Sequence, residues 1–179
     1  MNDAWNRLLP LLRQGERLRW VGQPDPRVRF SAADLFLVPF SIMWGGFALF
    51  WELQAVVSGG PFFFTLWGIP FVLMGLYFIF GRFIYKKRRK LMTVYGLTDS
   101  RAIVSSSDRS FSETPLKGPP MRVDRSRDSR HVSVIFGNRP LGDYRNTGLD
   151  VFNLGQAQGV AFFDVADPDA LMRELDQLR

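Results

Sequence analysis

The sequence predicts a membrane α-hairpin joined to a small, mostly-β domain that a C-terminal helix closes. Three observations carry this reading. Two long apolar runs, 35–57 and 62–85, are separated only by Ser58-Gly59-Gly60-Pro61. A basic run, Lys86-Lys87-Arg88-Arg89-Lys90, follows the second directly. The rest of the chain alternates short strand-like segments with turn residues and ends in an apolar stripe at helical spacing.

A helix needs about 20 mostly apolar residues to cross a hydrocarbon core about 30 Å thick. Both runs meet that length. The first holds one charge, Glu52, and the second holds one, Arg82. A soluble chain of 179 residues has too little protein to cover two helices that are apolar all round. Ser41, Gly45 and Ala48 on the first run, and Gly68 and Gly75 on the second, are small residues that let the two backbones approach closely. Pro39 is expected in the first turn of its helix, and Pro70 inside the second run is a candidate kink. Glu52 lies about 17 residues, roughly 26 Å, beyond Leu35, so it is expected at the far interface and in solvent. Trp51 and Trp67 fall toward the same interface, whereas Trp44 is deeper and is expected to pack.

Charge sets the orientation. Arg27 and Arg29 precede the first run, the basic run follows the second, and the connecting loop has no Lys or Arg. Lys and Arg near membrane ends stay on the cytoplasmic side, so both termini are expected there, in a multi-pass membrane protein. With no cleavable leader of the usual composition in the first 34 residues, the first span is expected to act as the uncleaved signal. The net charge of +6 is uneven, with +2 over 1–34, +8 over 86–147 and −4 over 148–179. Positive charge thus gathers next to the spans, where cytoplasmic leaflets are anionic. Lys86, Lys87, Arg88, Arg89 and Lys90 serve as a stop-transfer signal and are candidate contacts for anionic lipid headgroups.

The elements follow in order. Asn2 or Asp3 caps a helix to about Arg13, with Trp5, Leu8, Leu9 and Leu12 on one face; Pro10 is awkward within it and Gly15 ends it. This helix either lies on the membrane surface or packs on its own domain. Glu16–Val21 alternates as a strand, and Gly22–Pro26 breaks it. Past the basic run, Leu91–Leu97 and Ala102–Ser106 read as a β-hairpin turning at Thr98-Asp99-Ser100-Arg101. Ser107–Pro120 is polar, with Phe111 and Leu116 as anchors. Met121–Val123 is a short strand and Ser126–Ser129 a charged turn. In His131–Phe136, Val132, Val134 and Phe136 share a face, and Gly137–Pro140 ends the strand. The segment 141–159 reads as a long loop and Val160–Val165 as a strand. Asp167 then caps a helix over 168–178 with Ala170, Leu171, Leu175 and Leu178 along its apolar face.

The organisation is therefore 1–34 (N-terminal helix and first strand), 35–85 (hairpin) and 86–179 (β domain). The chain resembles the bacterial pleckstrin-homology-like (PH-like) membrane proteins. The residues that carry the likeness are Gly15-Glu16 and Trp20–Pro24 before the hairpin, Tyr95–Arg101 and Val132–Gly137 after it, and Phe162–Pro168 leading into the last helix. The resemblance implies a cytoplasmic PH-like domain, a bent antiparallel barrel or sandwich plugged by its C-terminal helix. It implies an interaction module without enzymatic activity. The long segment 141–159 departs from the compact form.

The chemistry is sparse. There is no cysteine, which removes disulfides, thiol catalysis and Cys-based zinc sites. His131 is the one histidine, and no local motif supplies it with catalytic partners, so it is expected on the surface. One His and no Cys give no metal-ligand spacing. Asp124, Asp128, Asp143 and Asp150 do not match a calcium loop. No phosphate-binding glycine loop occurs. Arg122, Arg125, Arg127 and Arg130 alternate with acids, the pattern of a solvated turn and not of a nucleic-acid stripe. No catalytic, cofactor or metal residue is assigned. The expected function is a membrane-anchored, non-catalytic binding or scaffold module whose partners are the bilayer and a protein or a second copy, with no nucleic acid. The alternative is a membrane enzyme or assembly factor with a site in the 141–159 loop.

Overall fold

The computed structural model describes residues 2–27, 30, 33–107, 110–126, 129–138, 146–149 and 159–178. The chain divides into two compact units. One comprises Met1–Val28, Lys87–Asp143 and Asn153–Arg179; the other comprises Arg29–Lys86 and Tyr144–Phe152.

The second unit is the hairpin. Helix α2 spans Asp34–Val57 and α3 spans Phe62–Leu76. One π-helical turn, Tyr77–Gly81, leads from α3 into α4, Arg82–Met92. Both helical stretches, Asp34–Val57 and Phe62–Met92, are long and apolar enough to cross a membrane. Their outer faces leave large apolar side chains exposed, among them Leu35, Phe36, Phe47, Phe62 and Trp67. The buried face is the small-residue stripe: Ser41, Gly45 and Ala48 on α2 against Gly68 and Gly75 on α3. A Cβ on Gly75 would stand 2.9 Å from the Cα of Gly45, so the backbones touch where only glycine fits. Trp44 packs against Phe40 and Phe71.

Several expectations need correction. Pro39 lies in the second turn of α2, because the helix opens at Asp34. Glu52 is not fully solvated: its Oε2 is buried with no hydrogen-bond partner among the described residues, and a Cβ on Gly68 would overlap it. Leu91 and Met92 are helical, not the start of a strand. Lys, Arg, Leu and Met favour helix, so α4 runs on through the basic residues. It stops where Thr93 turns its hydroxyl back onto the Arg89 carbonyl at 2.8 Å.

The first unit holds two antiparallel sheets. Strands β1 (Leu18–Gly22), β2 (Val94–Thr98), β3 (Arg101–Ser107) and β4 (Ser110–Pro115) form a four-stranded sheet in that order. Strands β5 (Met121–Arg125), β6 (Val132–Phe136) and β7 (Ala161–Val165) form a three-stranded sheet. A bridge between Pro24 and Val165 links the two, and the described strands do not close into a barrel. Strand β4 lies in the stretch that reads as polar loop. Phe111 on it is exposed, whereas Leu116 is buried as expected.

The core follows from strand alternation. Tyr95, Leu97 and Ala102 from the first sheet meet Val132, Val134, Phe136, Phe162 and Val165 from the second. The rings of Tyr95 and Phe136 lie 4.8 and 5.3 Å from that of Phe162. Helix α5, Pro168–Leu178, adds Leu171 and Leu175, both fully buried, and Asp167 caps it through the Ala170 N–H at 3.0 Å. Val94 and Ile103 point to the other face of the first sheet. There they bury Leu8 of helix α1 (Asn2–Leu8), with Leu11 and Leu12 beside it. The N-terminal helix therefore packs on its own domain. It ends at Leu8 and continues as a 3-10 turn, Leu9–Leu11, because Pro10 has no N–H for a longer α-helix. Gly96 lies beneath it, where a Cβ would come within 2.8 Å of the Leu8 side chain and force it to shift.

Candidate functional site

A cleft of about 670 Å³ opens on the β domain, lined by Asp25, Arg27, Ser129, Arg130, His131 and the start of α5 at Ala166–Asp169. Each wall has a local cause. The Gly22–Pro26 breaker ends β1 and leaves Asp25 beside β7, where its N–H donates to the Asp164 carbonyl at 2.9 Å. Ser129, at a φ of 56°, returns the chain toward His131 at the head of β6. Asp164 also has a positive φ, 51°, in β7, where the pairing register with β6 shifts. That bend aims its carboxylate at Lys90, 2.5 Å away.

At the centre stand Asp25 and His131. The Asp25 carboxylate accepts from the Arg27 N–H at 2.8 Å and lies 3.0 Å from His131 Nε2. Burial works to raise the Asp25 pKa, but the Arg27 N–H and the His131 ring outweigh it and hold the group below its ordinary value. His131 is thus mostly buried and paired, not a free surface residue. Among the described residues no serine or other nucleophile is seen hydrogen-bonded to its ring, and no group of acids and histidine is arranged to hold a metal ion. The arrangement is a polar recess with both signs of charge, suited to holding a polar ligand in one orientation.

The five basic residues separate. Lys86 and Lys90 are buried: Lys86 lies 3.7 Å from Asp34, and Lys90 pairs with Asp164 and donates to the Asp25 carbonyl at 3.3 Å. Lys87 and Arg88 are exposed and Arg89 is half-buried. Of the five, the exposed cations are therefore Lys87 and Arg88, because α4 turns Arg82, Lys86 and Lys90, four apart, onto one buried face. Of the aspartates weighed as cation ligands, Asp124 pairs with Arg122, while Asp128, Asp143 and Asp150 lie outside the described residues, as does Arg127. So does most of the 141–159 loop. Its residues Asn146–Leu149 are described: Tyr77 donates to the Gly148 carbonyl at 2.6 Å, and Thr147 is buried.

Sequence reasoning missed Asp25, Asp34 and Asp164. Asp34 had a usable signal: it and Arg82 lie about equally far from the Ser58–Pro61 tip, so an antiparallel hairpin sets them level. They form an ion pair at 2.6 Å, both almost fully buried. No family model, curated protein or solved structure matches this chain.

Proposed function

We propose that this chain is a two-span membrane protein whose hairpin anchors a PH-like β domain at the cytoplasmic face, where the domain works as a non-catalytic binding module. The observation that carries the anchoring is the hairpin's outer surface, where two long helices hide their small residues and leave Leu, Phe and Trp outside. The PH-like reading draws support from the order of four antiparallel strands, three antiparallel strands and a closing helix. Binding rather than catalysis is favoured by the mixed-charge recess around Asp25 and His131. Its ligand on this reading is a polar segment of a protein partner, met by the cations Arg27 and Arg130 and the anions Asp167 and Asp169 that line the cleft.

The test is mild extraction from the native membrane followed by native mass spectrometry, with His131→Ala beside the wild type. A stoichiometric protein partner that wild type retains and His131→Ala loses is the expected result. A bare chain in both, or turnover that depends on His131, would sink the module reading.

A further inference from the structure

Arg82 has a side chain only 1% exposed, yet it uses one of its three nitrogens in hydrogen bonding. Nη1 donates to Asp34 Oδ1 at 2.6 Å. Nε and Nη2 are buried and meet no hydrogen-bond partner among the described residues. These two nitrogens form a single edge of the planar guanidinium. Their parallel N–H bonds match two oxygens of one phosphate or carboxylate. Buried donors are almost always satisfied, so an empty pair marks a missing acceptor. Asp34 is engaged from the other side, and Lys86 adds a second cation within 3.7 Å of it. The local chemistry therefore asks for a two-oxygen anion.

Position says which one. Arg82 lies about 20 residues beyond Phe62, roughly 30 Å along the helix, which is the thickness of the hydrocarbon core. On the membrane reading above, on which this inference rests, that is the depth where phospholipid phosphates begin. Exposed Lys87 and Arg88 follow directly, and such cations favour an anionic leaflet. An arginine near a span's end normally extends toward water. This one is turned inward and held by Asp34, its bidentate edge unspent. We infer that the Nε–Nη2 edge of Arg82 binds the phosphate of an anionic membrane phospholipid.

The experiment uses the full chain, extracted mildly, stripped of lipid and then exposed to phosphatidylglycerol, to phosphatidylcholine or to inorganic phosphate. Native mass spectrometry reads bound lipid. Wild type is expected to retain one phosphatidylglycerol per chain, at least tenfold more tightly than Arg82→Lys, which keeps the charge and loses the two-donor edge. The double variant Lys87→Ala/Arg88→Ala is expected to retain it. Equal retention by Arg82→Lys would overturn the inference, as would loss in the double variant or displacement of the lipid by millimolar inorganic phosphate. Should Arg82→Lys fail to fold, wild type alone decides: no retained lipid, or no preference for phosphatidylglycerol over phosphatidylcholine, sinks the proposal. Alkaline extraction of native membranes separates the parent reading, because a chain released by carbonate is not an integral membrane protein whatever Arg82 binds.

Discussion

Glu16 and Arg101 show how much one pair of residues fixes. Arg101 sits at the start of β3 with its side chain 5% exposed, and Glu16 faces it with 4% exposed. Nε and Nη2 of Arg101 each reach a Glu16 oxygen at 2.7 Å, and Nη2 also donates to the Leu11 carbonyl at 2.8 Å. Glu113 pairs with Nη1, while the Thr98 and Ser100 hydroxyls donate to Glu16. The Arg101 guanidinium, against a smaller opposing effect of burial, holds the Glu16 carboxyl far below its ordinary range. A folded-state pKa depressed in this way stabilises the fold above the unfolded value, about 4.3. That contribution is lost as pH falls below it toward the folded value. Glu16→Gln is expected to cost about 2 kcal/mol at pH 7, since the Nε–Nη2 edge of Arg101 then faces a neutral amide while Glu113 still pairs with Nη1. It should also flatten the loss of stability between about pH 4.5 and 2.5, read by chemical unfolding in detergent at a series of pH values. Tyr95 is a second test. Burial raises its phenol pKa well above the ordinary value, so it stays a neutral donor. Its oxygen accepts from the Phe163 N–H at 3.0 Å, and Tyr95→Phe should cost about 1–2 kcal/mol in the same assay. The sequence marked Glu16 and Arg101 only as parts of short motifs. Their partnership, like that of Lys90 with Asp164, joins positions far apart in the chain that only the folded strands bring together.

Among the elements, those legible beforehand had a periodic signal strong enough to stand alone. Both spans, the small-residue face, the β2–β3 turn, β6 and α5 fall in this class. Strand β4 did not, because Ser110–Pro115 has no alternation of apolar residues; it is held by its ladder to β3 and stays exposed. The end of α4 differs from the expectation because Leu91 and Met92, which favour helix, run directly into the strand formers Thr93–Tyr95. The hairpin interface gives a paired prediction. A side chain on Gly75 must push into the Gly45 backbone, whereas one on Gly46 meets nothing within 4 Å. Gly75→Val is expected to lose about 1–3 kcal/mol by overpacking, and Gly46→Val should change the midpoint little. Thermal unfolding in the same micelles compares them. Equal effects would mean that the helices do not cross at these glycines. At the closing helix, Leu171→Ala should cost about 2–5 kcal/mol, since Leu171 is fully buried.

At the scale of the whole molecule, the proposed membrane anchoring turns on which side of the bilayer each part occupies. The hairpin enters between β1 and β2, two strands that pair antiparallel, so both ends of the insertion return to one sheet. If the hairpin spans the membrane, the sheet can assemble only when both ends of the insertion emerge on the same side. On the proposed reading that side is the cytoplasmic one, from Arg27 on one end, Lys87 and Arg88 on the other, and no cation at the tip. A chain without cysteine makes the test clean. A single cysteine at Gly59, exposed in the tip, should react with an impermeant maleimide in intact cells. One at Ser112, exposed on β4, should react only after the membrane is opened. Labelling of Ser112→Cys in intact cells would reverse the orientation. Labelling of both only after opening would mean that the tip does not cross. Because β1 and β2 must meet, one tip cysteine and one domain cysteine fix the side of the whole β domain.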